Sequence, residues 1–138
     1  MRTTSSTEDV MGSPLQQRSY ELTLRVANIW MHGQGAGHAL DVHRKLFEAA
    51  SDLGAWVERA AGAVSREVFR TCVYEVNTNV RLVKLWIRLL DDLGFIEPEE
   101  ASPLHDLAEE VHRLALAAIR TTRDAPQDAE RNGHAVHP

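Results

Sequence analysis

The chain has 138 residues, of which 43% are hydrophobic and 6% aromatic, and its formal net charge is −5 at pH 7. This length fits one domain, and the hydrophobic share suffices for a core without disulfides or metals. The net negative charge argues against a surface that attracts polyanions everywhere. Cys72, the single cysteine, excludes an intramolecular disulfide. No apolar run approaches the roughly 20 residues of a membrane span, so we expect a cytoplasmic protein with no membrane partner.

The N-terminal half of the chain predicts two helices after a polar start. Residues 1–13 are small and polar without periodicity, and we expect a disordered leader. Ser13 and Pro14 then have the chemistry of an N-cap and a first helical position. This predicts a first helix over 14–31, which a glycine-rich segment ends, and a second helix over 39–61.

The third predicted helix, over residues 65–93, organises the rest of the chain because neither Gly nor Pro interrupts it. Apolar residues recur there in alternating steps of four and three, the spacing of a coiled-coil-like seam. This first set is Phe69, Val73, Val76, Val80, Val83, Ile87 and Leu90. A second apolar set lies beside it: Val68, Cys72, Leu82, Trp86, Leu89 and Leu93. Two apolar faces predict neighbours on two sides, in the core and in a second subunit.

The C-terminal part of the chain predicts a fourth helix. Pro98 could begin it, but Ser102–Pro103 has the better capping chemistry, so we place its start there. We place its end near Arg123 and expect a disordered tail over 124–138. No segment shows the two-residue alternation of a strand. Four amphipathic helices with short connections predict an all-α fold, an up-down antiparallel four-helix bundle over residues 14–123.

A basic strip occupies the part of the third helix that the two apolar faces leave. It consists of Arg66, Arg70, Arg81, Lys84 and Arg88, with no acidic residue among them. Such a strip can contact the phosphates of a nucleic acid along one helical edge. It can instead be a solvated face, or it can pair with carboxylates of adjacent helices, the candidates being Glu99, Glu109, Asp41 and Asp52. These readings stay open at the level of the sequence.

Histidines raise the question of a metal site. His105, Glu109 and His112 follow one side of the fourth helix at steps of four and three, which a metal in a bundle could use. A di-iron bundle needs Glu-x-x-His pairs on more than one helix, whereas Glu109 and His112 form one pair on one helix. We therefore expect no metal and no cofactor.

Two polar residues, Glu75 and Asn79, lie among apolar neighbours on the second face of the third helix. A buried acid there could be catalytic, but such residues more often fix the register at an interface. We therefore expect an oligomer interface formed by Glu75, Asn79, Leu82, Trp86 and Leu89. The sequence contains no nucleophile–base arrangement, Walker loop or dinucleotide fingerprint, so we expect no catalytic residues and no enzyme.

The second half of the chain resembles small bacterial four-helix bundle proteins. The features that carry the resemblance are the aromatic-basic opening with Arg66, Phe69 and Arg70, the long heptad-patterned helix, and the turn LGFIEPEE. The family includes proteins encoded by intervening sequences of 23S rRNA genes and Avd, the accessory variability determinant of diversity-generating retroelements. The string RLVKLWIRLLDDL, with Trp86 between apolar and basic neighbours, is more similar to the Avd branch. The resemblance covers about residues 15–123.

The resemblance implies a homopentamer whose protomers stand side by side in a ring. In the Avd branch it also implies a partner reverse transcriptase and binding to RNA and DNA through basic surface residues. The function expected is thus that of a non-enzymatic accessory protein of a diversity-generating retroelement. The alternative is a structural homo-oligomeric protein-interaction module without nucleic-acid binding, in a conflict or defence system.

Overall fold

The computed structural model describes residues 12–32 and 37–136, with side chains described for all of them except 38 and 124–136. Within these ranges the chain is helical and contains no strand. The four helices are α1 (Pro14–Met31), α2 (His38–Ala61), α3 (Arg66–Leu93) and α4 (Pro98–Val136). The predicted leader lies, apart from residues 12 and 13, outside the described residues.

The four helices form an up-down bundle in which each packs against two neighbours, in the cyclic order α1, α2, α3, α4. Contacts between α3 and α4 show their opposite directions, because a later position on one helix meets an earlier position on the other. Asp91 lies beside His105 near the end of α3, and Lys84 lies beside Glu109. Short connections produce this antiparallel arrangement.

The first apolar set of α3 is the centre of the core, as its spacing predicted. Its members from Val73 onward have no exposed surface: Val73, Val76, Val80, Val83, Ile87 and Leu90. Leu53 of α2 and Leu104 of α4 are buried with this seam, each 1% exposed or less. Full burial of one such side chain contributes about 1.5–3 kcal/mol, so this seam stabilises the bundle more than any surface contact can.

Capping side chains set the starts of α1 and α3. The backbone N–H of Gln16 donates to Ser13 Oγ, and Gln16 Oε1 accepts from the Ser13 N–H, which makes a reciprocal capping box. Ser65 Oγ accepts from the backbone N–H of Val68 at 3.1 Å and caps α3. Gly94 ends α3 with φ +74°, a conformation that a residue with a Cβ atom adopts at a cost.

The bounds of α4 differ from the prediction at both ends. The helix begins at Pro98, so the predicted start at Ser102–Pro103 is wrong. The earlier start buries Ala101 in the core at 2% exposure, and the Glu97 carbonyl accepts from its N–H at 2.8 Å. At the other end the helical backbone continues to Val136, into the predicted tail. Extending a formed helix avoids the cost of nucleation.

None of the described residues form a helix that is both long and apolar enough to cross a bilayer.

Candidate nucleic-acid interface

The structure divides the basic strip of α3 into two groups. Arg66 lies at the first residue of the helix and is exposed, and Arg70 one turn later is half-buried and engaged in a contact of its own. The second group consists of Arg81, Lys84 and Arg88. It begins about 22 Å from Arg66 along the helix axis. Within the described part of the chain, Arg66, Arg81 and Arg88 make no ion pair and point their charge to solvent.

The second group lines a cleft between α3 and α4, which we call the α3–α4 cleft. Its volume is about 370 Å³. The lining residues are Arg81, Lys84, Leu85 and Arg88 from α3, and His105, Glu109 and His112 from α4. Three cations face one carboxylate there, so the cleft is locally positive although the whole chain is acidic. This local excess favours an anion.

A hydrogen-bond network at one side of the cleft holds Lys84 in place. Its Nζ atom lies 2.8 Å from Glu109 Oε2 and 3.2 Å from His112 Nδ1. Because a lysine ammonium can only donate, His112 accepts through Nδ1 and carries its proton on Nε2. That N–H donates to Asn77 Oδ1 at 3.0 Å. The network therefore uses both ring nitrogens of a neutral histidine.

Two groups of this network have lowered pKa values, His112 and Glu109. Burial lowers the pKa of His112, and the positive charge of Lys84 lowers it further. The hydrogen bond from Lys84 lowers the pKa of Glu109. The neighbouring charges of Lys84 and Arg113 act in the same direction, and partial burial opposes them. At neutral pH the cleft thus contains a neutral His112 and an ionised Glu109.

Of the four carboxylates considered as partners of the basic strip, one pairs with it among the described residues. Glu109 pairs with Lys84, as one of the readings of the strip predicted. Asp41 pairs with Arg44 of its own helix, and none of the ion pairs among described residues joins Asp52 or Glu99 to the strip. The basic strip is therefore partly neutralised at Lys84 and open at its exposed arginines.

The histidines do not assemble into a metal centre within the described part of the chain, where no group of three suitable ligands occurs. His43 is buried, and its Nε2–H donates to the Phe95 carbonyl at 2.9 Å. His105 Nε2 lies 3.7 Å from Asp91 Oδ2 rather than turning toward Glu109. His112 has both ring nitrogens engaged.

The predicted oligomer interface contains buried and exposed members. Asn79 is 8% exposed and its side-chain amide donates to the Glu75 carbonyl at 2.7 Å, within the same helix. Glu75 is half-buried, and Trp86 packs against the core of its own protomer. Leu82 and Leu89 remain exposed.

Further exposed residues extend this face of α3 into an outer apolar strip. It consists of Val68, Leu82, Leu85, Leu89 and Leu93, each between 37% and 50% exposed. Sequence reasoning left Leu85 out of both apolar sets, although it lies between Leu82 and Leu89 on the same side of the helix. An exposed row of leucines on one helix is typical of a protein-contact surface.

The hydrogen-bond network of the α3–α4 cleft was not predicted from the sequence. A signal was present, because Asn77 and Lys84 stand two turns apart on α3 while Glu109 and His112 stand one turn apart on α4. Residues at these spacings share one helix face. What the spacing leaves open is which faces meet, and the register between the two helices decides that.

A larger groove lies at the end of the bundle where α1 and α3 begin. Its volume is about 720 Å³, and its wall is formed largely by apolar side chains, among them Val57, Phe69 and Leu114. Arg66 is the one ionisable group among the described residues that line it. The groove thus lacks the cluster of charges that distinguishes the α3–α4 cleft.

Comparison with known proteins gives support for the fold. No protein-family model matches the chain, and a search of curated proteins finds no relative. A solved structure of a protein with unknown function from the S23 ribosomal protein family of Bacteroides thetaiotaomicron is similar, with a TM-score of 0.69. The alignment covers 76% of this chain and 97% of that chain at 18% sequence identity. At this identity the similarity shows a shared helical fold.

Proposed function

We propose that this protein is a non-enzymatic accessory protein that binds the backbone of a nucleic acid through the basic strip of α3. The observation that carries the proposal is the exposure of Arg81 and Arg88 on one helix face, beside Lys84 in the α3–α4 cleft. Neither arginine makes an ion pair within the described part of the chain. Their planar guanidinium groups can each donate two parallel hydrogen bonds to two oxygens of a phosphate.

The basic strip would recognise the charge of the nucleic-acid backbone rather than the base sequence. Arg81 and Arg88 are two helical turns apart, about 10.5 Å along the axis, and Arg66 stands more than 20 Å away. Contacts of this kind position a backbone without reading bases. RNA and DNA are both compatible with them. The negative net charge of −5 repels a polyanion elsewhere and would confine it to this strip.

Self-assembly belongs to the same proposal. The outer apolar strip of α3 would contact a neighbouring copy, and the resemblance to Avd points to a homopentamer with a reverse transcriptase as partner. In that arrangement the basic strips of the protomers repeat around a ring. A repeated strip gains avidity for a long nucleic acid without any new type of contact.

A second function is favoured by a different observation. Glu109 already neutralises Lys84, and Arg70 has a contact of its own, so the strip offers fewer open cations than the sequence suggests. A structural homo-oligomeric protein-interaction module without nucleic-acid binding would use the outer apolar strip alone. It would fit a conflict or defence system.

Charge reversal separates the two functions. Arg81→Glu combined with Arg88→Glu should weaken the binding of a labelled single-stranded RNA by at least about tenfold, since hydrogen bonds to charged groups are strong. Arg44→Glu combined with Lys45→Glu is the matched control, because it reverses two charges on exposed residues of α2 that are already paired, with Asp41 at 2.7 Å and Glu48 at 3.9 Å. Fluorescence anisotropy measures the binding. Equal affinities for wild type and the Arg81/Arg88 variant would contradict nucleic-acid binding by this strip.

A further inference from the structure

Glu109 forms an ion pair with Lys84, the one lysine among the residues that line the α3–α4 cleft. Its carboxylate lies 2.8 Å from Lys84 Nζ. The Glu109 side chain is 55% exposed and the Lys84 side chain 28%. An ion pair with an exposed carboxylate contributes little to stability, because water solvates the carboxylate well when it moves away. The Lys84–Glu109 contact can therefore open without disturbing the core.

Lys84 can bind another anion once the Glu109 carboxylate moves away. His112 Nδ1 accepts one of its three protons at 3.2 Å and keeps the ammonium at the cleft. Arg81 and Arg88 stand one turn before and one turn after Lys84 on the same face of α3. Without the carboxylate, the cleft would present three cations.

We propose that the α3–α4 cleft binds one phosphodiester group of a nucleic-acid backbone, and that Glu109 is a built-in competitor that this phosphate displaces from Lys84. The inference rests on the proposed function, because it names the point at which the backbone enters the basic strip. The inference goes further in assigning to Glu109 an effect that weakens the binding of the nucleic acid. The carboxylate and the phosphodiester carry the same single charge, so one anion replaces the other at the same ammonium.

The test compares two variants that remove the same charge from the same helix. Glu109→Gln removes the competitor, and Asp106→Asn removes an exposed carboxylate of α4 that does not line the cleft. Fluorescence anisotropy with a labelled single-stranded RNA gives the affinities. We expect Glu109→Gln to bind about three- to fivefold more tightly than wild type, the range that a surface ion pair supports, and Asp106→Asn less than about twofold.

The outcomes distinguish this inference from the proposed function. Unchanged affinity in Glu109→Gln, or equal strengthening in both variants, overturns the inference. The proposed function then still stands if Arg81→Glu weakens binding. If no oligonucleotide binds, the proposed function and the nucleic-acid part of the inference are both overturned, and a second measurement decides whether Glu109 competes with a simple phosphate for Lys84.

That second measurement uses inorganic phosphate alone and follows the His112 ring by NMR. Saturable shifts that reach their midpoint at a lower phosphate concentration in Glu109→Gln than in Asp106→Asn support competition in the cleft. The same midpoint in both variants, or no saturable shift in either, overturns it. Circular dichroism of both variants checks that each remains folded.

Discussion

His112 Nε2 of α4 lies 3.0 Å from Asn77 Oδ1 of α3, and this contact fixes the proton of the ring on the side away from Lys84. The opposite nitrogen is thereby free to accept from the Lys84 ammonium. A second proton on the ring would replace that hydrogen bond by repulsion between two cations. The hydrogen bond between Lys84 and His112 therefore depends on a neutral histidine.

The first prediction concerns pH. Burial and Lys84 hold the pKa of His112 below its ordinary value of 6.5, so the unfolded chain binds more protons than the folded chain near and below that pH. The free energy of unfolding should decrease as the pH falls through this window. Glu109, whose pKa is lowered from 4.5, adds a further loss in more acidic solution.

Urea unfolding at pH 7.5 and 5.5 measures this effect. The difference between the two pH values should be smaller in His112→Gln than in wild type, because the variant lacks the ring that takes up the proton. A wild-type His112 ring that titrates above 6.5 by NMR would contradict the account of this network.

The second prediction concerns the buried histidine of α2. His43→Ala should lower the free energy of unfolding by about 1–3 kcal/mol, because it leaves the Phe95 carbonyl without its 2.9 Å donor. Lys45→Ala, on an exposed position of the same helix, should change it by less than about 0.5 kcal/mol. Urea unfolding at pH 7.5 compares the two, and equal effects would show that the contact with Phe95 contributes nothing.

The third prediction concerns the end of α3. Gly94 has φ +74°, and a Cβ atom added there would meet no other atom within 4 Å. Gly94→Ala should therefore cost about 1–2 kcal/mol through backbone strain alone. Gly94→Asn should cost less, since Asn tolerates the left-handed region. Thermal unfolding ranks the variants, and Ala tolerated as well as Asn would contradict the backbone explanation.

The fourth prediction concerns assembly through the outer apolar strip. Leu82→Glu and Leu89→Glu should each reduce the molar mass in solution while the helical content stays unchanged, because both side chains are exposed in the protomer. Each leucine buried at an interface contributes up to about 1.5–3 kcal/mol, and a charge there is costly. Leu116→Glu, exposed on α4, is the control.

Light scattering coupled to gel filtration measures the molar mass of all three variants. A wild-type protein that is monomeric at micromolar concentration would remove the strip as a subunit contact. Equal dissociation by Leu116→Glu would place the contact elsewhere.

Much of the fold follows from the pattern of α3. The seam from Val73 to Leu90 alternates steps of three and four, and that spacing alone identifies the core face. Ser13 likewise marks the start of α1 through its capping chemistry. These features depend on neighbours in sequence, which is why sequence reasoning found them.

The features that sequence reasoning missed depend on contacts between distant residues. Ser102–Pro103 has better capping chemistry than Pro98, yet α4 begins at Pro98 because an added turn buries Ala101. Lys84 could have met any of several carboxylates, and the register of α3 against α4 selects Glu109. Periodicity shows which residues share a face, but the rotation of each helix decides what that face meets.

The salt dependence of RNA binding by the wild-type protein tests the central claim most directly. With three or four cations of one protomer contacting phosphates, the slope of log K against log salt concentration should be about −2 to −3 for a single strand. Anisotropy titrations between about 50 and 200 mM salt give this slope. A slope near zero, or no binding at the lowest salt concentration, would contradict recognition of a nucleic-acid backbone by the basic strip of α3.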